Sequence, residues 1–81
     1  MNDIMNSVIS LDNGEKYVML DSADYNGIKY YLANDVVDNH LGNDIAIFKS
    51  EMVNGQLSLV MEPDIKICEE LIKIFDAKNK N

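Results

Sequence analysis

Positive charge is scarce in this chain: arginine is absent, and seven lysines face fourteen acidic residues, a net charge of -7 over 81 residues with a pI of about 4.3. Such a surface is repelled by nucleic-acid phosphates and anionic lipid, which argues against direct DNA, RNA or membrane-surface binding and leaves a basic protein as the compatible partner. Cysteine occurs once, as Cys68, so no intramolecular disulfide can form, which fits a reducing compartment. The single histidine, His40, supplies no His pair for zinc, and the four glycines are scattered as turn residues rather than gathered into a loop that cradles phosphate. No apolar run approaches the roughly 20 residues of a membrane span. Residues 1–6 lack the basic and apolar segments of a secretory signal. A soluble cytoplasmic protein without a cofactor is therefore expected.

An apolar content of 47% is ordinary for a folded protein and argues against disorder despite the charge. The length suits one domain, 1–81, which buries about 60–65% of the surface its unfolded chain exposes. Asn-Gly pairs at Asn13-Gly14, Asn26-Gly27 and Asn54-Gly55 are each flanked by short apolar runs. Asn-Gly fits the two positive-φ positions of a type I′ turn, the turn whose twist matches the strands it joins. Strands are accordingly expected at about 7–11, 15–22, 28–33, 44–53 and 56–62. Residues 34–43 have no clear period and read as a long loop, the first place to look for function. Pro63 ends the last strand because it has no amide hydrogen to donate. A helix at about 64–77 follows, with Asp64 at its start, Leu71, Ile72 and Phe75 on its apolar stripe, and Lys73, Lys78 and Lys80 toward its C-terminal end.

These elements make an α+β fold, an antiparallel β-meander of about five strands with one C-terminal helix packed on one face. In the second strand, Val18 and Leu20 are taken as the core face, with Tyr17 and Met19 opposite, where they could be covered or could form a contact patch. The expected core is Val18, Leu20, Tyr30, Ile45, Ile47, Leu59, Leu71 and Phe75. Ile4 and Met5 are available to pack nearby, and the tail from Asn79 is expected to fray.

The element order also resembles a small bacterial family, DUF1292. The likeness is carried by Ile9-Ser10-Leu11-Asp12-Asn13-Gly14, Val18-Met19-Leu20-Asp21, Gly27-Ile28-Lys29-Tyr30-Tyr31-Leu32, Ile45-Ala46-Ile47-Phe48 and the closing Met61-Glu62-Pro63-Asp64. Members often carry a dense acidic run between the third and fourth strands, here thinned to Asp35, Asp38 and Asp44. The resemblance implies the fold and a bacterial or phage cytoplasmic origin. It brings no site residues with it.

Catalytic signatures are missing. Cys68 falls on the apolar stripe of the helix, the place of a small buried thiol, and His40 with Asp38 has no nucleophile-elbow context. Asp35, Asp38, Asn39, His40, Asn43 and Asp44 gather oxygen and imidazole ligands in one segment, but at the spacing of neither an EF-hand nor a zinc site. The remaining signal is acidic and aromatic: between 21 and 44, five carboxylates stand against Lys29 alone, with Tyr25, Tyr30 and Tyr31 interleaved. Tyrosines give rigid amphipathic contact area and carboxylates steer association with a basic partner. Same-face strand residues lie about 6.6 Å apart, whereas duplex DNA places a charge about every 1.7 Å, so one acidic row is too sparse to imitate DNA. The expectation is a non-enzymatic protein-binding module using Asp21, Asp24, Tyr25, Asp35, Asp38 and Asp44. Its sharpest form is a phage-type, anti-CRISPR-like inhibitor that occludes the nucleic-acid surface of a basic enzyme. The alternative is a housekeeping assembly protein acting as a homodimer through an exposed strand or the Tyr17 and Met19 face.

Overall fold

The computed structural model describes residues 6–78. Ile4, Met5, Asn79 and Lys80 lie outside them. Five strands, β1 (Val8–Ser10), β2 (Lys16–Tyr25), β3 (Ile28–Val37), β4 (His40–Val53) and β5 (Gln56–Met61), form one antiparallel sheet in sequence order and precede helix α1 (Ile65–Lys78). The fold is the α+β meander expected from the sequence.

Turn chemistry explains most of the connections. Asn26 and Gly27 have φ of 53° and 78°, Asn54 and Gly55 51° and 79°, the paired positive φ of type I′ turns. Asn13-Gly14 departs from this pattern: only Gly14 is at positive φ, 90°. Leu11 N–H donates to the Glu15 carbonyl at 2.8 Å and Gly14 N–H to that of Leu11 at 2.9 Å, making a three-residue loop. A further type I′ pair had no glycine to announce it. Asp38 and Asn39, at φ 53° and 66°, link β3 directly to β4. Asp and Asn tolerate the left-handed region better than other side chains. The long loop expected at 34–43 is therefore absent, and those residues are the distal half of a β-hairpin.

A β-bulge decides which face of β2 is buried. Met19 stands opposite Ala33, but Asp21 stands opposite Leu32, so Leu20 is the extra residue and the alternation changes phase there. Tyr17 and Met19 point to one face of the sheet, while Ala23 and Tyr25 point to the other, toward α1. The expected core assignment is thus corrected: Met19 is fully buried and Tyr17 nearly so, Val18 is half-buried, and Leu20 is 42% exposed. The burial of Tyr17 and Met19 also removes them as a contact patch.

The sheet is packed on both faces. On one, Tyr30 and Ile47 meet Leu71 and Phe75 of α1, with Leu32, Ile67, Cys68 and Ile74 around them. On the other, Tyr17, Met19, Tyr31, Ala33 and Phe48 form a second cluster, against which Ile9 and Leu11 from one end of the sheet and Leu59 from the opposite edge both pack. The sheet therefore curls over its own aromatic residues. Small side chains permit this: Ala33 and Ala46 stand opposite each other, leaving room for Tyr17 and Phe48 to meet edge to face at 5.3 Å and 74°. Tyr30, Ile47, Leu71 and Phe75 of the expected core are buried; Leu59 is half-buried, and Ile45 is 53% exposed.

Asp64 caps α1, its Oδ1 accepting from Lys66 N–H at 2.9 Å and its carbonyl from Cys68 N–H at 3.1 Å. Pro63 lies just before the cap. At the other end Lys78 pairs with Asp21 at 3.0 Å and donates to the Ser22 carbonyl, fastening α1 to β2. Among the described residues no helix is long and apolar enough to cross a membrane.

Candidate functional site

At the end of the sheet where β1 turns into β2 and β3 into β4 there is an open cleft of about 450 Å³. Its walls include Glu15, Lys16 and Tyr17 from β2 and its approach, and Asp35, Asp38 and Asp44 from the facing hairpin. Four carboxylates thus surround one lysine.

Asp35 organises the cleft. Across from it β4 bulges: Asn34 stands opposite Ile45 and Val36 opposite Leu41, so Gly42, Asn43 and Asp44 together face one residue. The Asp35 carboxylate accepts from the Asp44 backbone N–H at 3.0 Å and from Asn34 Nδ2 at 3.4 Å, and the same Asn34 amide donates to the Gly42 carbonyl at 3.0 Å. Bulge and carboxylate fit only because residue 42 is glycine: a Cβ there would fall within the Asp35 carboxylate, with its Cγ 2.5 Å away. Glu15 is held by Asn13, whose Nδ2 donates to Glu15 Oε1 at 2.8 Å.

The field of these groups is felt by the buried phenol of Tyr17. Burial raises its pKa above the ordinary 10.0, and the charges of Glu15, Asp35 and Asp44 raise it further. Tyr30, on the helix side, is raised by burial and by the hydrogen bond it donates to Glu62 at 3.1 Å. Both phenols hold their protons more tightly folded than unfolded. Their stabilising contribution is complete below pH 10.0 and is lost as pH rises from there through the raised folded values. The urea midpoint should accordingly fall steadily above about pH 10, and Tyr17→Phe with Tyr30→Phe should flatten that fall; an unchanged slope in the double variant would refute the assignment.

The six residues singled out from the sequence do not form one surface. Asp35, Asp38 and Asp44 meet in the cleft. Asp24 and Tyr25 lie at the opposite end of the β2 and β3 pair, where Asp24 is opposite Lys29 and Tyr25 opposite Ile28; the Tyr17 and Asp35 pair is seven residues away along β2, about 20 Å. Tyr25 is half-buried, edge-on to Tyr30 at 6.3 Å. Asp21 is engaged by Lys78 and by Ser22 N–H, the latter at 2.8 Å. Glu15 and Tyr17 are cleft residues that sequence reasoning missed, since joining them to Asp35 required the β2 and β3 register.

His40 is exposed at the start of β4, opposite Val37. Cys68 is half-buried, with Sγ 3.5 Å from the Glu62 carbonyl oxygen. Burial, and then the charges of Glu62 and Asp64, push its pKa up from 9.0, which disfavours the nucleophilic thiolate. Among the described residues no three His, Cys, Asp or Glu side chains converge as a metal site would require. No protein-family model, curated protein or solved structure matches the chain.

Proposed function

We propose that the chain is a non-catalytic binding module whose acidic cleft receives a basic segment of a partner protein, and that in its sharpest form it occludes the nucleic-acid surface of a basic enzyme. The observation that carries this is the gathering of Glu15, Asp35, Asp38 and Asp44 around an open cleft of about 450 Å³, with Lys16 as the lone cation among the described residues that line it. Concavity matters, since carboxylates around a cleft focus their field on whatever enters it. Apolar contact is at hand, because Val37 and Leu41 beside the Asp38-Asn39 turn are 55% and 65% exposed. A lysine- or arginine-rich strand or loop offers the complementary chemistry, with charge setting the approach and the apolar rim adding contact.

Immobilised protein should retain a basic nucleic-acid enzyme from bacterial lysate at low salt, lose it at high salt, and release it to added DNA or RNA. Asp38→Lys with Asp44→Lys should weaken retention by about tenfold or more, while Asp24→Lys, at the far end of the sheet, should change it far less. Equal retention by the cleft variant and the wild type would overturn the proposal. Asp35 is left intact in this design because it also holds the bulge in place.

A further inference from the structure

Edge strands in native proteins are usually short, interrupted by proline or a bulge, or guarded by charge, because their unpaired backbone groups can recruit another strand. β1 meets that expectation, with three residues followed closely by Asp12, Glu15 and Lys16. β5 does not. Among the described residues it is the last strand of the sheet and pairs with β4 alone, in unbroken register from Phe48 opposite Met61 to Val53 opposite Gln56. Glu62 N–H donates to the Ile47 carbonyl at 2.9 Å, so by the alternation of an antiparallel ladder Gln56, Ser58 and Val60 turn their backbone groups toward β4. Leu57, Leu59 and Met61 turn theirs outward.

The turn of this hairpin and the edge strand itself are also where charge disappears. Residues 52–61 contain no charged side chain, the longest such stretch in a chain where 26% of residues are charged. Leu57, Val60 and Met61 are 49%, 44% and 42% exposed, and Met52 and Val53 on β4 are 69% and 49% exposed. The carboxylates that border this stretch are already engaged, Glu51 opposite Ser58 by Lys49 at 3.8 Å and Glu62 by the Tyr30 hydroxyl at 3.1 Å, so a basic partner finds little here to attract it. A second copy of the chain, itself at -7 and repelled elsewhere, finds the stretch where approach meets least repulsion, together with an identical strand to pair with.

We propose that two copies join through β5, antiparallel across a two-fold axis at Leu59, so that Leu57 of one lies opposite Met61 of the other and one sheet runs through both. Both residues with outward backbone and exposed side chains are covered by this register, and the acidic clefts stay open. The proposal is independent of what the clefts bind.

Sedimentation over a concentration series should show the mass doubling toward a dimer. Leu57→Lys with Val60→Lys, charges placed on the edge, should hold the protein at monomer mass with its far-UV circular dichroism unchanged. Register is tested in a Cys68→Ser background, with Ser58→Cys on one protein and Val60→Cys on another. Residues 58 and 60 face each other across the proposed axis, so the mixture should form disulfide-linked pairs under mild oxidation and each variant alone far fewer. A wild type that stays monomeric throughout, a lysine variant that still dimerises, or cross-linking no greater in the mixture than in either variant alone would overturn the proposal. The cross-link decides the matter even if the lysine variant fails to fold.

Discussion

Phe48→Ala should lower the free energy of unfolding by about 3–5 kcal/mol and Met19→Ala by about 2–5 kcal/mol, whereas Leu20→Ala should cost about 1 kcal/mol or less. Phe48 and Met19 have no exposed surface, and both lie in the cluster enclosed by the curled sheet. Removing either leaves a void that cannot fill easily, since Tyr17 and Tyr31 are held by their own strands and, among the described residues, no helix packs on this cluster. Leu20 is the extra residue of the β2 bulge and is 42% exposed, so its truncation removes little buried area. Against a typical total of about 5–15 kcal/mol, the Phe48 change should remove a large share of the stability and lower the urea midpoint accordingly. Urea unfolding followed by circular dichroism measures all three. A Leu20 variant as damaged as Met19→Ala would mean that the bulge is misplaced and the two faces of β2 are exchanged.

The same bulge marks the limit of what the sequence makes legible. The meander, the C-terminal helix and its Leu71 and Phe75 face can be read from turn dipeptides and from periods of two and three to four. The burial of Met19 over Leu20 cannot be read that way. Val18 and Leu20 look at least as apolar as Tyr17 and Met19, and the phase change at Leu20 follows from pairing with β3, which leaves no local mark on β2. Ile45 shows a second kind of error: its alternation with Ile47 is real, but α1 reaches over Ile47 and leaves Ile45 53% exposed. In 34–43 the period was hidden because the Gly42 to Asp44 bulge breaks it immediately after an Asp38-Asn39 turn without glycine. The acidic residues were visible as composition, yet their separation into a cleft group and a distant Asp24 is a product of register. Asp21 illustrates the difference, since its partner Lys78 is 57 residues away in sequence.

Gly42→Ala should destabilise the protein by about 1–3 kcal/mol, and most of that loss should vanish when Asp35 is also replaced by alanine. No positive φ is involved at residue 42; the constraint is one of space, since the added methyl would occupy the position of the Asp35 carboxylate. Asp35 could yield by rotating, but only by giving up the hydrogen bonds it accepts from the Asp44 N–H and Asn34 Nδ2, the first of which is worth about 1.5–3 kcal/mol when a charged acceptor is involved. Asp35→Ala alone should therefore also destabilise, and the double variant should lose less than the sum of the two. Additive losses would show that glycine and carboxylate do not constrain each other, and a neutral Gly42→Ala would show that the carboxylate is free to leave. The functional consequence is separable from the structural one. Asp35 and Asp44 are like charges kept adjacent by a hydrogen bond from the backbone of one to the side chain of the other, so loosening the bulge should let them part and weaken the field in the cleft. Gly42→Ala should then reduce capture of a basic partner even though it removes no charge, at temperatures where circular dichroism still reports a folded chain. Asp24→Ala, which removes a charge about 20 Å away, should reduce capture less.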